Sequence, residues 1–262
     1  MTEAGKNSSL RDSQNDRRDR RDVQATLNYR GVDEPDRRTV TIRDARAMTD
    51  LSLDREGFIL AQRASAVRNF YDAGEVRAIY YPEVAKLLID LTGARRAQVF
   101  EHDVRCESRA RDDKSVRRPV RMIHDDYTAK SSPERVRLYL PEEAEGLISK
   151  RYAIINVWRA IRGPVEATPL AVCDASSVAA KDLLPTEEGV KHEVYLLRYQ
   201  AHHRWYYFSR MRPEEPLVLK CFDTAEGIVG RCTAHSAFDD PTTPENAAPR
   251  ESIEARAFVF YG

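Results

Sequence analysis

The sequence predicts a mainly β domain with flanking helices, a double-stranded β-helix or jelly roll of the cupin-like kind. Three observations predict it. From Ala97 onward, about nine short segments rich in Val, Ile, Tyr, Phe and Trp follow one another, most of them separated by turn residues. Neither GxGxxG nor GxxxxGKS occurs, which argues against a nucleotide-binding α/β fold. The 262 residues suffice for one large domain with a sizeable core.

Taken in order, residues 1–24 are charged and almost free of large apolar groups. Such a segment cannot offset its ordering entropy, so a disordered polar tail is expected. Its "RRDRRD" run is interspersed with aspartates and reads as solvated. Residues 25–262 are expected to form a single domain. "ATLNYRG" and "RRTVTIRDAR" read as strands. "SLDREGFILAQRASAVRNFYD" predicts a helix capped by Ser52 or Asp54, with Phe58, Ile59, Ala61 and Val67 at roughly helical spacing. "EVRAIYYPEVAKLLIDLTG" predicts a second helix, broken or restarted at Pro82 and stopped at Gly93. The β segments are "AQVFEHDVR", "SVRRPVRMIH", "RYAIINVWRAI", "TPLAVCD", "HEVYLLRY", "HRWYYFS", "PLVLKCFD", "GIVGRCTAH" and "SIEARAFVFYG"; one helix, "SSPERVRLYLPEEAEGLISKR", interrupts them.

Charge and cysteine usage narrow the function classes. Lysine plus arginine equals aspartate plus glutamate at 42 each, so there is no electrostatic argument for nucleic acid or membrane partners. No apolar run approaches the ~18 residues of a membrane span. The N-terminus carries no apolar signal region. Cys106, Cys173, Cys221 and Cys232 form no CxxC pair and read as reduced thiols of a cytoplasmic protein.

The chemistry concentrates in "MIHDDYTAK". If a strand ends near His124, His124 and Asp126 point to the same side, and an imidazole nitrogen and a carboxylate oxygen can reach one ion. Asp125 is a rival carboxylate. A non-haem iron site with two histidines and one carboxylate needs a further histidine. His235, at the end of the strand "GIVGRCTAH", is placed to supply it if two strand ends converge at one rim. His202 and His203 read as solvated turn residues. In the last strand Arg250, Ser252, Glu254 and Arg256 share one face, while Ile253, Ala255 and Ala257 share the other. A guanidinium grips a carboxylate through two hydrogen bonds, and a serine hydroxyl adds a third. In "YAIINVW", Ile154, Asn156 and Trp158 face one way and Ile155, Val157 and Arg159 the other; Asn156 and Arg159 are candidates for ligand contact. Lys220 and Asp223 read as a structural pair.

The ordered set His-x-Asp, distant His, Arg-x-Ser resembles the iron(II)/2-oxoglutarate-dependent oxygenases. The blocks "HDDYT", "NVWRAIRGPVEATPLAVCDASSV", "WYYFSRMRPEEPLVLKCFD", "AHSAFDDP" and "PRESIEARAFVFY" are similar to the hydroxylase/desaturase branch, over roughly Ala25 to Tyr261. That branch includes gibberellin desaturase-like enzymes and the cephamycin 7α-methoxylation component. The resemblance implies Fe(II), 2-oxoglutarate and O2 as cofactors. It implies hydroxylation or desaturation of a small-molecule, secondary-metabolite substrate. His124, Asp126 and His235 would be the iron ligands and Arg250 the anchor of 2-oxoglutarate, with Arg256 as rival anchor or acid-binding group. Arg250 follows His235 at a longer spacing than in many relatives, and the Pro-rich loop between them absorbs the difference. The N-terminal helices and the Tyr127–Ser132 loop are the expected pocket walls. The competing class is a non-catalytic jelly roll that binds zinc or nothing, or serves as partner subunit to a biosynthetic methyltransferase; a partner enzyme or a homo-oligomer is compatible with either.

Overall fold

Two curled β-sheets face each other in a computed structural model that describes residues 22–186 and 192–262. The larger sheet runs, edge to edge, β1 (Val23–Tyr29), β2 (Asp36–Asp44), β11 (Trp205–Tyr207), β8 (Leu170–Cys173), β13 (His235–Ala237), β6 (His124–Asp125), β10 (Val194–Leu197) and β9 (Leu183–Thr186). The smaller runs β3 (Phe58–Leu60), β12 (Leu217–Asp223), β7 (Tyr152–Ala160), β14 (Glu251–Phe260), β4 (Arg96–Cys106) and β5 (Val116–Arg117). This is the jelly roll that the succession of short β segments predicts. No helix among the described residues is long and apolar enough to cross a membrane.

Side-chain alternation assigns the faces. In β7, Ile154 and Trp158 enter the core between the sheets, with Val172, Phe208 and Phe258. Ile155 and Val157 face outward, onto a helix. That helix, Tyr81–Thr92, lays Val84, Leu87 and Leu88 over the outer face of β7 and β14, against Ile253, Ala255, Ala257 and Val259. Each such buried side chain contributes about 1.5–3 kcal/mol. The other face of β14, with Arg250 immediately before the strand, turns Ser252, Glu254 and Arg256 into the interior between the sheets, where all four are buried.

The structure departs from the sequence expectation at three places. Residues 52–72 are not a helix. Ser52–Gly57 form a turn, Gly57 adopts φ of 87°, and Phe58–Leu60 pair with β12 as an edge strand. A positive φ at Gly57 ends any helical register there. The second helix does restart at Pro82, as expected: a π-turn at Val76–Tyr80 leads into the α-helix Tyr81–Thr92, which accommodates the missing N–H in its first turn. Gly93 does end it, in the left-handed conformation. The helix expected over 131–151 is two, Ser131–Tyr139 and Ala144–Ile148, parted at Leu140 because the residue before Pro141 disfavours helical backbone. Val23 and Gln24, assigned to the polar tail, begin β1, Asp22 precedes them and accepts from the Asp44 N–H at 3.0 Å, and residues 1–21 of that tail lie outside the described residues.

Lys220 and Asp223 form the expected structural pair. Lys220 Nζ donates to Asp223 at 2.9 Å and to Asp54 at 2.6 Å, and Arg151 adds a contact to Asp223 at 3.0 Å. Burial alone would raise the Asp223 carboxyl, but the hydrogen bonds from Arg151 and Lys220 outweigh it and hold the group below the usual carboxylate range. A depressed pKa contributes stability that is complete above the unfolded value, near pH 4, and lost as pH falls through the folded one. Asp223→Asn leaves a buried lysine poorly compensated, and is expected to cost about 3–5 kcal/mol in urea unfolding at neutral pH. The loss shrinks as the pH approaches 3, because the wild type sheds the same contribution there.

Candidate active site

His124 and His235 are direct register partners on the adjacent antiparallel strands β6 and β13. Both begin their strands; neither ends one, as the sequence suggested. They meet because the two strands pair side by side, not because distant strand ends converge at a rim. Their ring centroids are 4.5 Å apart. Each ring is fixed by the same local device: Nδ1 of His124 bonds the Met122 carbonyl at 2.8 Å, and Nδ1 of His235 bonds the Thr233 carbonyl at 2.9 Å. A carbonyl only accepts, so each Nδ1 carries the proton and each Nε2 carries a lone pair. Nε2 of His235 is buried and has no hydrogen-bond partner. Burial, followed by the neighbouring His235, pushes the His124 pKa down to about 4, which keeps its ring neutral.

Asp126 completes the group. Its Oδ1 lies 3.6 Å from His124 Nε2, and one donor atom from each of His124, Asp126 and His235 falls within 4.8 Å of the others. Its Oδ2 accepts from Asn156 Nδ2 at 2.6 Å and from Arg256 Nε at 3.3 Å. Burial would raise this carboxyl, but Arg256 above all, then the two imidazoles and Asn156, hold it well below the usual range. Asn156 and Arg256 face each other across the β7–β14 ladder, so one register pair steadies the carboxylate. Two imidazoles with a buried carboxylate suit one divalent first-row ion with open positions. The unpartnered Nε2 of His235 has no other structural role, so the residues fit iron(II). Groups that orient a ligating carboxylate typically contribute 10–100-fold to metal affinity. Asn156→Ala is therefore expected to weaken Fe(II) binding by about that factor without unfolding the sheet, as read by anaerobic titration.

The rival residues separate clearly. Asp125 points to the other side, near Cys221 and His235. Burial, then the charge of Asp126, raises it well above the carboxylate range, so it is a neutral acid and a poor ligand. Arg159 does not reach the site: it bonds the Arg63 and Pro213 carbonyls and the Tyr80 hydroxyl. Arg256 is already engaged by Asp126, Glu254, Asp103 and Glu101. Arg250 differs. Its Nη1 donates to the Thr168 carbonyl at 2.7 Å and its guanidinium lies over the Trp158 ring, yet its Nε is buried without a partner. No carboxylate among the described residues pairs with it, and burial lowers its pKa to about 9. The Ser252 hydroxyl is likewise buried and unpartnered. A narrow cleft connects Arg250 with His124 and His235 past Trp158 and Leu170.

A cavity of about 590 Å³ opens on the other side of His124 and Asp126. Its walls come from β4, β5, β9 and β10. Val120, Met122, Val194 and Leu196 give it an apolar side, and Glu101, Asp103, Arg105 and Arg256 a charged one. The sequence reading placed the walls elsewhere; the helix Tyr81–Thr92 packs on the outer face of the smaller sheet. It also passed over Glu101, Asp103 and His192. The first two alternate along β4, and both reach Arg256 of β14, at 3.4 and 2.9 Å, contacts visible only once β4 and β14 are paired. His192 bonds the Asp126 carbonyl at 3.0 Å and stacks on Tyr127.

Fold and side-chain set define a class: a jelly-roll protein with a candidate centre for one metal ion. Comparison with known proteins makes this specific. A family model described as "Oxidoreductase/YMDC permease-like domain" matches residues 7–260. Hydroxylase/desaturase CTB9 of Cercospora beticola is 34% identical over 251 residues, covering 86% of this chain and 76% of that protein. The Fe(II)/2-oxoglutarate-dependent dioxygenase nvfI of Aspergillus novofumigatus is 32% identical, covering 85% and 83%. Aspirochlorine biosynthesis protein N of Aspergillus oryzae is 42% identical over a shorter stretch, 48% of this chain and 56% of that protein. The solved structure of the iron and alpha-ketoglutarate-dependent endoperoxidase NvfI superposes with a TM-score of 0.81 at 28% identity, covering 93% of this chain and 98% of that one. By these matches the chain belongs to the hydroxylase/desaturase family of iron(II)/2-oxoglutarate-dependent dioxygenases.

Proposed function

We propose that His124, Asp126 and His235 hold the iron, that Arg250 with Ser252 anchors 2-oxoglutarate, and that the protein hydroxylates or desaturates a small secondary metabolite. The buried, unpartnered Nε2 of His235 beside His124 and Asp126 carries this reading. Bound iron(II) and 2-oxoglutarate supply the chemistry that activates dioxygen and breaks an unactivated C–H bond. The chain's own residues do the rest. The two Nδ1–carbonyl bonds hold the imidazoles aimed with Nε2 toward the ion. Asn156 and Arg256 keep one oxygen of Asp126 occupied, leaving the other to ligate. Arg250 and Ser252 present buried donors without acceptors, which suits an incoming carboxylate. The cleft beside Arg250 has a volume of only about 10 Å³, so the co-substrate must displace side chains as it enters. The 590 Å³ cavity is within the ordinary range for small-molecule sites, and its Val120, Met122, Val194 and Leu196 wall excludes water from a substrate's carbon skeleton.

The four free cysteines accord with a cytoplasmic setting. The test is anaerobic addition of iron(II) and 2-oxoglutarate. A weak visible charge-transfer band, followed by succinate release on admitting oxygen, is the expected result. A chain that takes up iron without the band returns the protein to the metal-binding scaffold class.

A further inference from the structure

A second cluster of metal-ligating side chains lies outside the dioxygenase centre. Asp182 closes the turn Ala180–Asp182 immediately before β9. Its carboxylate is fully buried: Oδ2 accepts from the Ala179 N–H at 3.1 Å, and Oδ1 has no partner. No lysine or arginine among the described residues pairs with it. His203 Nε2 lies 3.4 Å from Oδ2 and His202 Nε2 lies 3.9 Å from it. The sequence reading took both histidines as solvated turn residues. His202 is exposed, but the His203 side chain is fully buried and stacks at 15° on Tyr29.

We propose that Asp182, His202 and His203 form a site for a divalent transition ion of the zinc type. Three observations support it. One donor atom from each of the three lies within 4.8 Å of the others. The hydrogen bond from His203 Nε2 to Asp182 Oδ2, at 3.4 Å, is long for a charge-assisted N–H···O bond, which runs about 2.7–2.9 Å. That separation equals the edge of a tetrahedron whose metal–ligand bonds are about 2.0–2.1 Å. Finally, a buried carboxylate requires a compensating cation. Among the described residues only the long bond from His203 Nε2 and the Ala179 N–H reach it. The exposed flank of His202 leaves the fourth position to water.

The placement suggests what the ion does. The Asp182 carbonyl accepts from the Arg198 N–H at 2.8 Å, and β9 and β10 form a ladder whose Thr186, Val194 and Leu196 line the 590 Å³ cavity. An ion on Asp182, His202 and His203 ties the turn before Arg204 to the root of that ladder and stiffens one wall of the cavity.

The test uses the full chain carrying His124→Ala and Asp126→Ala, which silences the first centre, equilibrated with zinc and then freed of excess. About one bound zinc per chain is expected, with a zinc-dependent rise in Tm. Adding His202→Ala, an exposed position that leaves the fold intact, is expected to weaken zinc binding at least about tenfold and abolish the Tm rise. Should the doubly substituted chain not fold, the same comparison in the unsubstituted chain reads two zinc ions falling to one. Absence of retained zinc without the first centre, or zinc content unchanged by His202→Ala, overturns the site. Neither result bears on the iron centre.

Discussion

His235→Ala is expected to lower turnover by on the order of 10³-fold or more and to abolish the iron/2-oxoglutarate band. The magnitude follows from the site's geometry. His235 offers a buried Nε2 that bonds nothing else in the protein, and its Nδ1 is spent on the Thr233 carbonyl. No nearby group can replace it: Asp125 is held as a neutral acid and Cys221 as a neutral thiol, both by burial first. The fold should survive, because the β13 backbone pairs with β6 and β8 whatever the side chain. Asp125→Asn is the matched control. It replaces a neutral acid by a neutral amide of the same shape, and iron affinity should not change. A His235→Ala chain that still gives the band would remove this residue from the ligand set.

Arg256 of β14 and Arg250, which immediately precedes that strand, give the second large effect, and their responses should differ in kind. Arg250→Leu is expected to raise the KM for 2-oxoglutarate by about 100-fold, since truncating one partner of a buried charge pair costs roughly 2–5 kcal/mol. Iron affinity should hold. The apo-protein should become more stable, because Arg250 is a buried cation without a carboxylate and burial already depresses its pKa to about 9. Arg256→Leu should do the reverse. It frees Asp126 from its guanidinium and leaves Glu254, Asp103 and Glu101 without their shared cation. Loss of iron affinity by about 10–100-fold is expected, together with lower stability. Titration of each variant with iron and with 2-oxoglutarate separates the two roles. If Arg256→Leu alone raises the KM for 2-oxoglutarate, the assignment of anchor and carboxylate holder is inverted.

The sequence by itself determined the local regularities. The period-two alternation of "YAIINVW" and "SIEARAF" assigns Asn156 and Arg256 to the interior face and Ile155 and Ala255 to the helix face, as the structure has them. Gly93 stops its helix because only a left-handed residue fits there. The His-x-Asp spacing and the five family blocks were likewise legible, since they are strings of neighbouring residues. The failures were also local: the spacing of Phe58, Ile59, Ala61 and Val67 imitates a helix, but Gly57 and the edge of β12 make an extended strand the better use of those backbone groups. Only the tertiary structure decided which residues meet. The His124–His235 pairing and the difference between a satisfied Arg256 and an unsatisfied Arg250 depend on strand register between segments about a hundred residues apart. Register is set by the hydrogen-bond ladder and by what each face can bury, and no periodicity within one segment encodes its partner.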